Sequence, residues 1–264
     1  MKNRIEKKFQ DLKRRNKKAF IAFITAGDPT LEVTYKLVLA LEKSGAAIIE
    51  LGVPFSDPMA DGPTIQAASC RALKKGVNLA KILKLVLRIR KSSQVPLALM
   101  TYYNLVFRYG EERFIKNCGK SGVDGVIIPD LPPEEARVLI RAGRKNKVST
   151  IFFLAPTSTK ERIKLVSRIS TGFIYYVSLT GVTGVRRSLP SDIIRNIRFI
   201  KRYCTKPVCV GFGISNSEQV KALSHFSDGV IVGSAIVKQV EKNLHNRNLI
   251  KNVSSFVKKL TRAL

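Results

Sequence analysis

Short apolar segments alternate with longer amphipathic segments along the chain. The apolar segments are rich in Val and Ile and continuous, which is the pattern of parallel strands buried on both faces. In chain order they are Phe20–Thr25, Ala47–Leu51, Leu97–Met100, Gly125–Pro129, Ser149–Leu154, Phe173–Val177, Val208–Val210 and Gly229–Val232. This series predicts eight strands.

The segments between the strands carry apolar residues at helical spacing. They predict a charged first helix over about residues 2–18, and then helices at Leu31–Lys43, Leu79–Lys91, Glu111–Lys120, Glu134–Lys145, Lys160–Ile169, Ser191–Tyr203 and Glu218–Phe226. Strands that alternate with helices indicate parallel βαβ units. Because no linker-like segment interrupts the series, we predict an α/β fold with one domain, residues 1–264. That domain is a single (β/α)8 TIM barrel with an extra N-terminal helix.

An open, doubly wound α/β sheet is the alternative fold. Its dinucleotide-binding form would carry Gly-x-Gly-x-x-Gly at the first strand–helix junction, where this chain has Thr25-Ala26-Gly27-Asp28-Pro29. The stretches Gly122–Ile128 and Phe226–Val232 also resemble each other, since in each an Asp-Gly turn leads into a strand. This short repeat favours the barrel.

The composition excludes several classes of protein. With 264 residues and 45% hydrophobic content, the chain can bury a sizeable core. No apolar run approaches the roughly 18 residues of a membrane span, and the charged N-terminus does not match a secretion signal. Cys70, Cys118, Cys204 and Cys209 lack the spacing of a disulfide framework or a zinc site. We therefore expect free thiols, a cytoplasmic protein and no metal.

The charge balance is unusual, with 47 Lys and Arg against 19 Asp and Glu, a formal net charge of +28. Such a field attracts nucleic acid. The basic residues are nevertheless spread along the chain, and we find neither an RNA-binding aromatic motif nor zinc-finger spacing. We expect a generally basic surface and no specific nucleic-acid binding.

Two carboxylates are candidates for acid–base chemistry. Glu50 lies among apolar strand residues, and burial there would raise its pKa towards the range of a general acid or base. The alternative is a structural Glu that backbone donors cap or an Arg pairs. Asp61 lies in the loop Val53–Pro63, whose three prolines make it stiff enough to return Asp61 over the barrel mouth. The alternative for Asp61, as for Asp57, is a turn former.

Small residues follow the last three predicted strands, in Thr180–Gly184, Gly211–Ser215 and Val232–Ala235. They allow backbone N–H groups to approach an anion, and a helix that begins near Gly233 and Ser234 would direct its positive end at it. The loops after strands seven and eight are the usual phosphate site of a (β/α)8 barrel. We therefore expect a phosphorylated ligand.

Four stretches of the chain form a recognisable set. They are Glu50–Pro58 running into Ala60–Gln66, then Ile128–Pro132, then Tyr175–Ser178 leading to Gly181–Gly184, and last Gly211–Ser215 with Gly233–Ala235. Together they resemble the alpha subunit family of tryptophan synthase. The first stretch is long and specific, and weaker similarity extends from Phe20 to about Val237.

The resemblance implies a retro-aldol cleavage of indole-3-glycerol phosphate to indole and glyceraldehyde 3-phosphate, without a metal or a Schiff-base lysine. It implies that Glu50 does the acid–base work and that Asp61 binds the indole N–H. The resemblance also assigns residues to a substrate pocket and to a lid. Phe23, Met100, Ile127, Tyr175 and Phe212 would line the indole pocket, Gly184, Gly213, Gly233 and Ser234 would bind the phosphate, and Thr183 of the Leu179–Pro190 lid would reach Asp61.

The resemblance also implies a partner, the tryptophan synthase beta subunit, in an α2β2 heterotetramer. Pyridoxal phosphate would belong to that partner, and this chain would hold no cofactor. The partner surface would include the Pro54–Asp57 loop and the region around Pro132, while Tyr102 and Asn104 fall at the partner or the pocket.

Two other functions stay open. One is a regulatory activator of the beta subunit with weak or lost lyase activity, which Val185 and Arg186 in the lid suggest because they depart from the family pattern. The other is a different phosphate-binding barrel enzyme, such as a sugar-phosphate isomerase, against which the Glu50–Pro63 stretch argues.

Overall fold

The computed structural model describes residues 2–177, 191–211 and 213–264, except for the side chain of Ser191. Strands and helices alternate within these ranges. In chain order they are α1 Arg4–Arg14, β1 Ala19–Thr25, α2 Leu31–Lys43, β2 Ile48–Gly52, α3 Pro63–Lys74, α4 Leu79–Arg90, β3 Leu97–Met100, α5 Tyr103–Tyr109, α6 Glu111–Ser121, β4 Gly125–Ile127, α7 Arg137–Asn146, β5 Ser149–Ile151, β6 Phe153–Leu154, α8 Lys160–Ile169, β7 Ile174–Val177, α9 Ser191–Tyr203, β8 Val208–Gly211, α10 Ser217–Ser224, β9 Gly229–Val232, α11 Ser234–Lys242 and α12 Leu249–Thr261.

The strands form one parallel sheet in the order β5-β4-β3-β2-β1-β9-β8-β7-β6. Its two end strands, β5 and β6, are separated along the chain by Phe152 alone, so the backbone itself joins the two edges of the sheet. The Phe152 carbonyl accepts the N–H of Tyr175 on β7 at 3.0 Å. With β5 and β6 counted as one interrupted strand, the sheet is the predicted eight-stranded barrel, and the open-sheet alternative is wrong. The assignment of residues 1–264 to one domain stays a prediction.

Side chains alternate between the inside and the outside of the barrel, as the period of a strand requires. On β8, Val208 and Val210 pack outward into the large core under the helices, whereas Cys209 belongs to the inner cluster. The inner cluster also contains Ile21, Ile48, Ala98, Ile127, Ile151, Phe173 and Ile231. The barrel is therefore filled by side chains, and a site must lie at one of its ends.

Helix α1 closes the end of the barrel at which the strands begin, which we call the basal end. Ile5 and Phe9 of α1 join the inner cluster, and Phe9 lies 5.7 Å from Phe173 between ring centroids. The Asn3 side-chain amide donates to the Asp124 carbonyl at 2.8 Å, just before β4. This is the extra N-terminal helix that the sequence predicts, and it leaves the opposite end open for chemistry.

Asp124 and Asp228 make equivalent bonds at the two copies of the sequence repeat. Each carboxylate accepts the N–H of the first residue of the preceding strand at 2.9 Å, Leu97 for Asp124 and Val208 for Asp228. Each also binds a cation at 2.8 Å, Arg90 at the end of α4 and Lys201 near the end of α9. The repeat therefore marks two strand–helix–strand units that are fastened in the same way.

No helix in the described ranges combines the length and the apolar character that a membrane crossing requires.

Candidate active site

A small pocket opens where the first strands end, the end of the barrel at which (β/α)8 enzymes place their reacting groups. It encloses about 260 Å³, part of which is open to solvent. The lining residues come from β1, β2, β3 and the segments that follow them. They are Phe23, Thr25, Gly52, Val53, Asp61, Ile65, Ser69, Met100 and Tyr102.

Glu50 lies one layer deeper than this pocket, two residues before Gly52 on β2. It pairs in register with Phe23 on β1 and with Ala98 on β3. Its side chain is fully buried, and neither carboxylate oxygen has a hydrogen-bond partner in the part of the chain that the structure describes. Burial therefore raises the pKa of Glu50 to about 8. Within the described residues, the alternative of a Glu capped by backbone donors or paired with Arg is wrong.

Asp61 is partly buried at the rim of the same pocket. Burial raises its pKa to about 6, and a hydrogen bond from the Tyr102 hydroxyl opposes this rise. The same hydroxyl accepts the N–H of Ala60 at 3.0 Å, and the Tyr102 ring stacks on Phe55 at 5.2 Å. Tyr102 therefore anchors the backbone beside Asp61, and its hydroxyl favours the charged form of that carboxylate.

Sequence reasoning placed Tyr102 near the pocket or the partner but gave it no contact with Asp61. Its position two residues beyond the end of β3 was the available signal, because barrel sites collect residues from strand ends. Asp57 is exposed and accepts a hydrogen bond from the Ser56 hydroxyl at 2.6 Å, which agrees with its interpretation as a turn residue.

Two glycines make room for the aromatic walls of the site. A Cβ on Gly52 would lie 2.5 Å from Cζ of Phe23, and a Cβ on Gly211 would lie 2.5 Å from Cε1 of Tyr175. Tyr175 and Met100 are partly buried, whereas Ile127 is fully buried in the inner cluster. Of the predicted indole-pocket residues in the described ranges, Phe23 and Met100 line the pocket, whereas Ile127 belongs to the inner cluster and Tyr175 packs against it.

The residues predicted to bind phosphate lie after β8 and β9. Gly213 is exposed, has a φ of +72° that favours glycine, and faces open space. Gly233 caps α11 without a side-chain bond, and its carbonyl accepts the N–H groups of Ile236 and Val237. The first-turn N–H groups of Ser234 and Ala235 come before these bonds, and such groups are available to an anion.

Several predicted residues lie outside the described ranges. They are Gly184, Thr183 and the rest of the Leu179–Pro190 lid, together with Phe212 of the indole pocket. Among the residues that the structure describes, no group of three or more His, Cys, Asp or Glu could hold a metal ion.

Comparison with known proteins gives one consistent result. The family model of the tryptophan synthase alpha chain matches residues 9–264. The tryptophan synthase alpha chain of Thermoanaerobacter sp. (strain X514) is 50% identical over 262 residues, which cover 99% of this chain and 100% of the relative. That of Geotalea uraniireducens (strain Rf4) is 52% identical over 240 residues, which cover 91% and 90%.

Solved structures agree with the sequence comparison. Tryptophan synthase subunit alpha from Legionella pneumophila str. Paris superposes with a TM-score of 0.93 at 35% identity and covers 100% of this chain and 98% of that chain. A chain from a structural study of mutual activation in the tryptophan synthase α2β2 complex of Pyrococcus furiosus gives 0.86 at 40% identity, covering 92% and 97%.

Proposed function

The chain belongs to the tryptophan synthase alpha chain family, and we propose that Glu50 and Asp61 carry out the family's reaction at this pocket. That reaction cleaves indole-3-glycerol phosphate to indole and glyceraldehyde 3-phosphate, so the chain is a lyase of tryptophan biosynthesis. The observation that carries the residue assignment is the burial of Glu50 without a hydrogen-bond partner among the described residues.

Glu50 is the general acid and then the general base. With a pKa of about 8 it is protonated at neutral pH, so it can donate its proton to C3 of the indole ring. The bond between C3 and the glycerol carbon then breaks, and its electrons return to the ring. The hydroxyl on that carbon loses its proton to the Glu50 carboxylate and becomes the aldehyde. The acid is regenerated, and no net proton is gained or lost.

Asp61 stabilises the charge that this proton transfer creates. Protonation at C3 places positive charge on the indole nitrogen, and a carboxylate that accepts the indole N–H lowers the energy of that state. A pKa of about 6 leaves Asp61 ionised at neutral pH. Because the Tyr102 hydroxyl and the bond to Ala60 hold this segment in place beforehand, little reorganisation is needed during the reaction.

The rest of the proposed site binds the two ends of the substrate. Phe23, Met100, Ile127 and Tyr175, with Phe212, form apolar walls that hold a flat ring and exclude water. Gly213, Gly233 and Ser234, with Gly184, bind the phosphate through backbone N–H groups and the positive end of α11. Thr183 belongs to the proposed lid.

The chain is the alpha subunit that partners a beta subunit. We assign the contact to the loops that follow the adjacent strands β2, β3 and β4, because these expose unusual apolar surface. Met59 after β2 is 96% exposed, and Phe107 on α5 is 69% exposed. The loop Pro54–Asp57 lies on the same side, as does Pro132 after β4.

Alpha chains of this family do not themselves bind a cofactor, and the proposal assigns pyridoxal phosphate to the beta partner. It also places the reaction in the cytoplasm, which fits a biosynthetic pathway and four cysteines that are all free.

The test is indole release from indole-3-glycerol phosphate by the purified chain, with and without a tryptophan synthase beta subunit. We expect slow cleavage by the chain alone and strong activation by beta.

Glu50→Gln should lower the rate by several orders of magnitude while glycerol 3-phosphate still binds. Glu135→Gln, on the exposed surface, is the control and should match the unmodified chain. An active Glu50→Gln variant would refute the assignment of Glu50. If the unmodified chain releases no indole but still accelerates beta, the chain is an activator that has lost its own chemistry.

A further inference from the structure

Charge is unevenly distributed between the two ends of the barrel. The helices that return the chain to the basal end finish with basic residues, namely Lys43 on α2, Lys120 on α6, Arg144 and Lys145 on α7, Arg168 on α8 and Lys201 and Arg202 on α9. Acidic residues occupy the first turns at the opposite end, with Glu32 on α2, Glu111 and Glu112 on α6 and Glu161 on α8. The helix dipole favours this arrangement on each helix. The C-terminal ends of these helices therefore place a ring of basic side chains at the basal end.

Helix α1 adds to this charge at the centre of the basal end. Its apolar side, Ile5 and Phe9, is buried in the barrel, so its outer side faces away from the molecule. That side exposes Lys7, Lys13 and Arg14. Arg14 pairs with Asp11 at 3.5 Å, which neutralises only part of the charge.

The ends of α1, α6 and α7 form a continuous surface. Asn3 donates to the carbonyl of Lys147, just after α7, at 3.2 Å. A Cβ on Gly119 of α6 would lie 2.9 Å from the carbonyl oxygen of Asn146 at the end of α7. These contacts place the basic ends of α6 and α7 beside the N-terminal end of α1, and Lys13 and Arg14 extend the surface to the other end of that helix, roughly 15 Å away. We call the exposed basic residues of these three helices the basal surface, formed by Lys7, Lys13, Arg14, Lys120, Arg144 and Lys145.

We infer that the basal surface binds the phosphate backbone of a nucleic acid without reading its sequence. The six basic side chains of the basal surface, on a chain whose formal net charge is +28, supply the attraction. The absence of a sequence-reading motif restricts binding to the backbone. The surface lies at the end of the barrel opposite to the substrate pocket and the loops assigned to the beta subunit, so it stays accessible in the complex.

An anionic membrane is the competing occupant, and the surface fits it less well. A helix that lies on a bilayer buries its apolar side in the lipid, but the apolar side of α1 is already buried in the barrel. The exposed large apolar side chains in the described ranges are Met59, Leu87, Phe107 and Phe199, and none of them belongs to α1. A fully polar, basic surface suits hydrated phosphates.

The test is fluorescence anisotropy of a labelled 20-nucleotide oligouridine against the full chain over a series of salt concentrations. The basal variant carries Lys7→Gln, Lys13→Gln, Arg14→Gln and Lys145→Gln. The control variant carries Lys74→Gln, Lys75→Gln, Lys84→Gln and Lys242→Gln, all exposed positions outside the basal surface. Each variant removes four positive charges from the formal +28, so the two differ only in where the charge is lost.

We expect salt-dependent binding that the basal variant weakens about tenfold or more at 0.1 M salt, with a salt slope lower by about 3, while the control changes little. Both variants should keep the indole release of the unmodified chain, which shows that they are folded. Equal loss in the two variants would overturn the inference, because net charge alone would then explain binding. No binding at 0.1 M salt, or tighter binding to phosphatidylserine vesicles than to the oligonucleotide, would also overturn it.

Discussion

Glu50 and Asp61 belong to the same site but have different pKa values because their surroundings differ. Glu50 is completely buried and has no partner among the described residues, whereas Asp61 is nearer the solvent and receives the Tyr102 hydroxyl. Desolvation disfavours the charged form of both, and the hydrogen bond favours the charged form of Asp61. One group is therefore protonated and the other ionised between about pH 6 and about pH 8.

This difference predicts a bell-shaped dependence of kcat/KM on pH. Activity should fall below about pH 6 as Asp61 takes up a proton, and above about pH 8 as Glu50 loses the proton that it must donate. Steady-state indole release at low substrate concentration measures the profile. In Asp61→Asn the acid limb should disappear while the alkaline limb remains; an unchanged acid limb in that variant would assign it to another group.

Tyr102 is predicted to tune the acid limb. Tyr102→Phe removes a hydrogen bond that lowers the pKa of Asp61, so the acid limb should move to higher pH. We also expect kcat/KM to fall about tenfold, because the segment beside Ala60 loses its anchor. Tyr103→Phe is the matched control, since Tyr103 begins α5 beside the pocket but does not line it. A purely structural role for Tyr102 would lower activity at every pH without moving the limb.

At the scale of elements, Arg71 connects three parts of the site. From α3 it binds both carboxylate oxygens of Asp28, in the loop after β1, at 2.8 and 2.9 Å. It also binds Glu241 on α11 at 3.1 Å. The helix that follows Asp61 is thus tied to the helix whose first turn is assigned to the phosphate.

Removing this connection should be costly because Asp28 is buried. We expect Arg71→Gln to lower the free energy of unfolding by about 3 kcal/mol, since it leaves a buried charge without its partner. It should also raise KM for indole-3-glycerol phosphate. Arg88→Gln, which breaks the exposed pair with Glu32, should leave the free energy of unfolding nearly unchanged. Urea denaturation compares the two, and equal costs would contradict the argument.

Element boundaries could be predicted where local signals are strong. Helices α2 and α8 have the predicted bounds because Thr30 and Thr159 cap them, accepting the N–H groups of Val33 and Arg162. Sequence reasoning gave no bounds for α12, although Leu249, Val253, Val257 and Leu260 have helical spacing. The helix predicted at Glu134 begins at Arg137 instead, after turns at Glu135 and Ala136.

The sequence identifies the residues of the site better than it predicts their contacts and protonation. The apolar surroundings of Glu50 in the sequence predict burial, but only the fold decides whether a cation or a backbone donor reaches it. The bond between the Tyr102 hydroxyl and the Ala60 N–H joins residues on different segments, and no local pattern contains that contact. The same holds for the tie between Arg71 and Glu241.

At the scale of the whole molecule, Asp124 and Asp228 can be compared within one protein, because each joins a strand to a cation on a helix. Asp124 and Asp228 accept the same kind of backbone bond, yet their environments differ. The Arg90–Asp124 side chains are 10% and 3% exposed, whereas those of Lys201–Asp228 are 37% and 30% exposed. The first pair is shielded from water and the second is not.

Burial should therefore decide which of the two aspartates contributes more to stability. We expect Asp124→Ala to lower the free energy of unfolding by about 3 kcal/mol, because it leaves Arg90 buried without its carboxylate. Asp228→Ala should cost about 1 kcal/mol, mainly for the lost bond to the Val208 N–H, since Lys201 can be solvated. Urea unfolding followed by circular dichroism measures both. Equal costs would mean that the shared backbone bond, and not the burial of the ion pair, fastens each unit of the barrel.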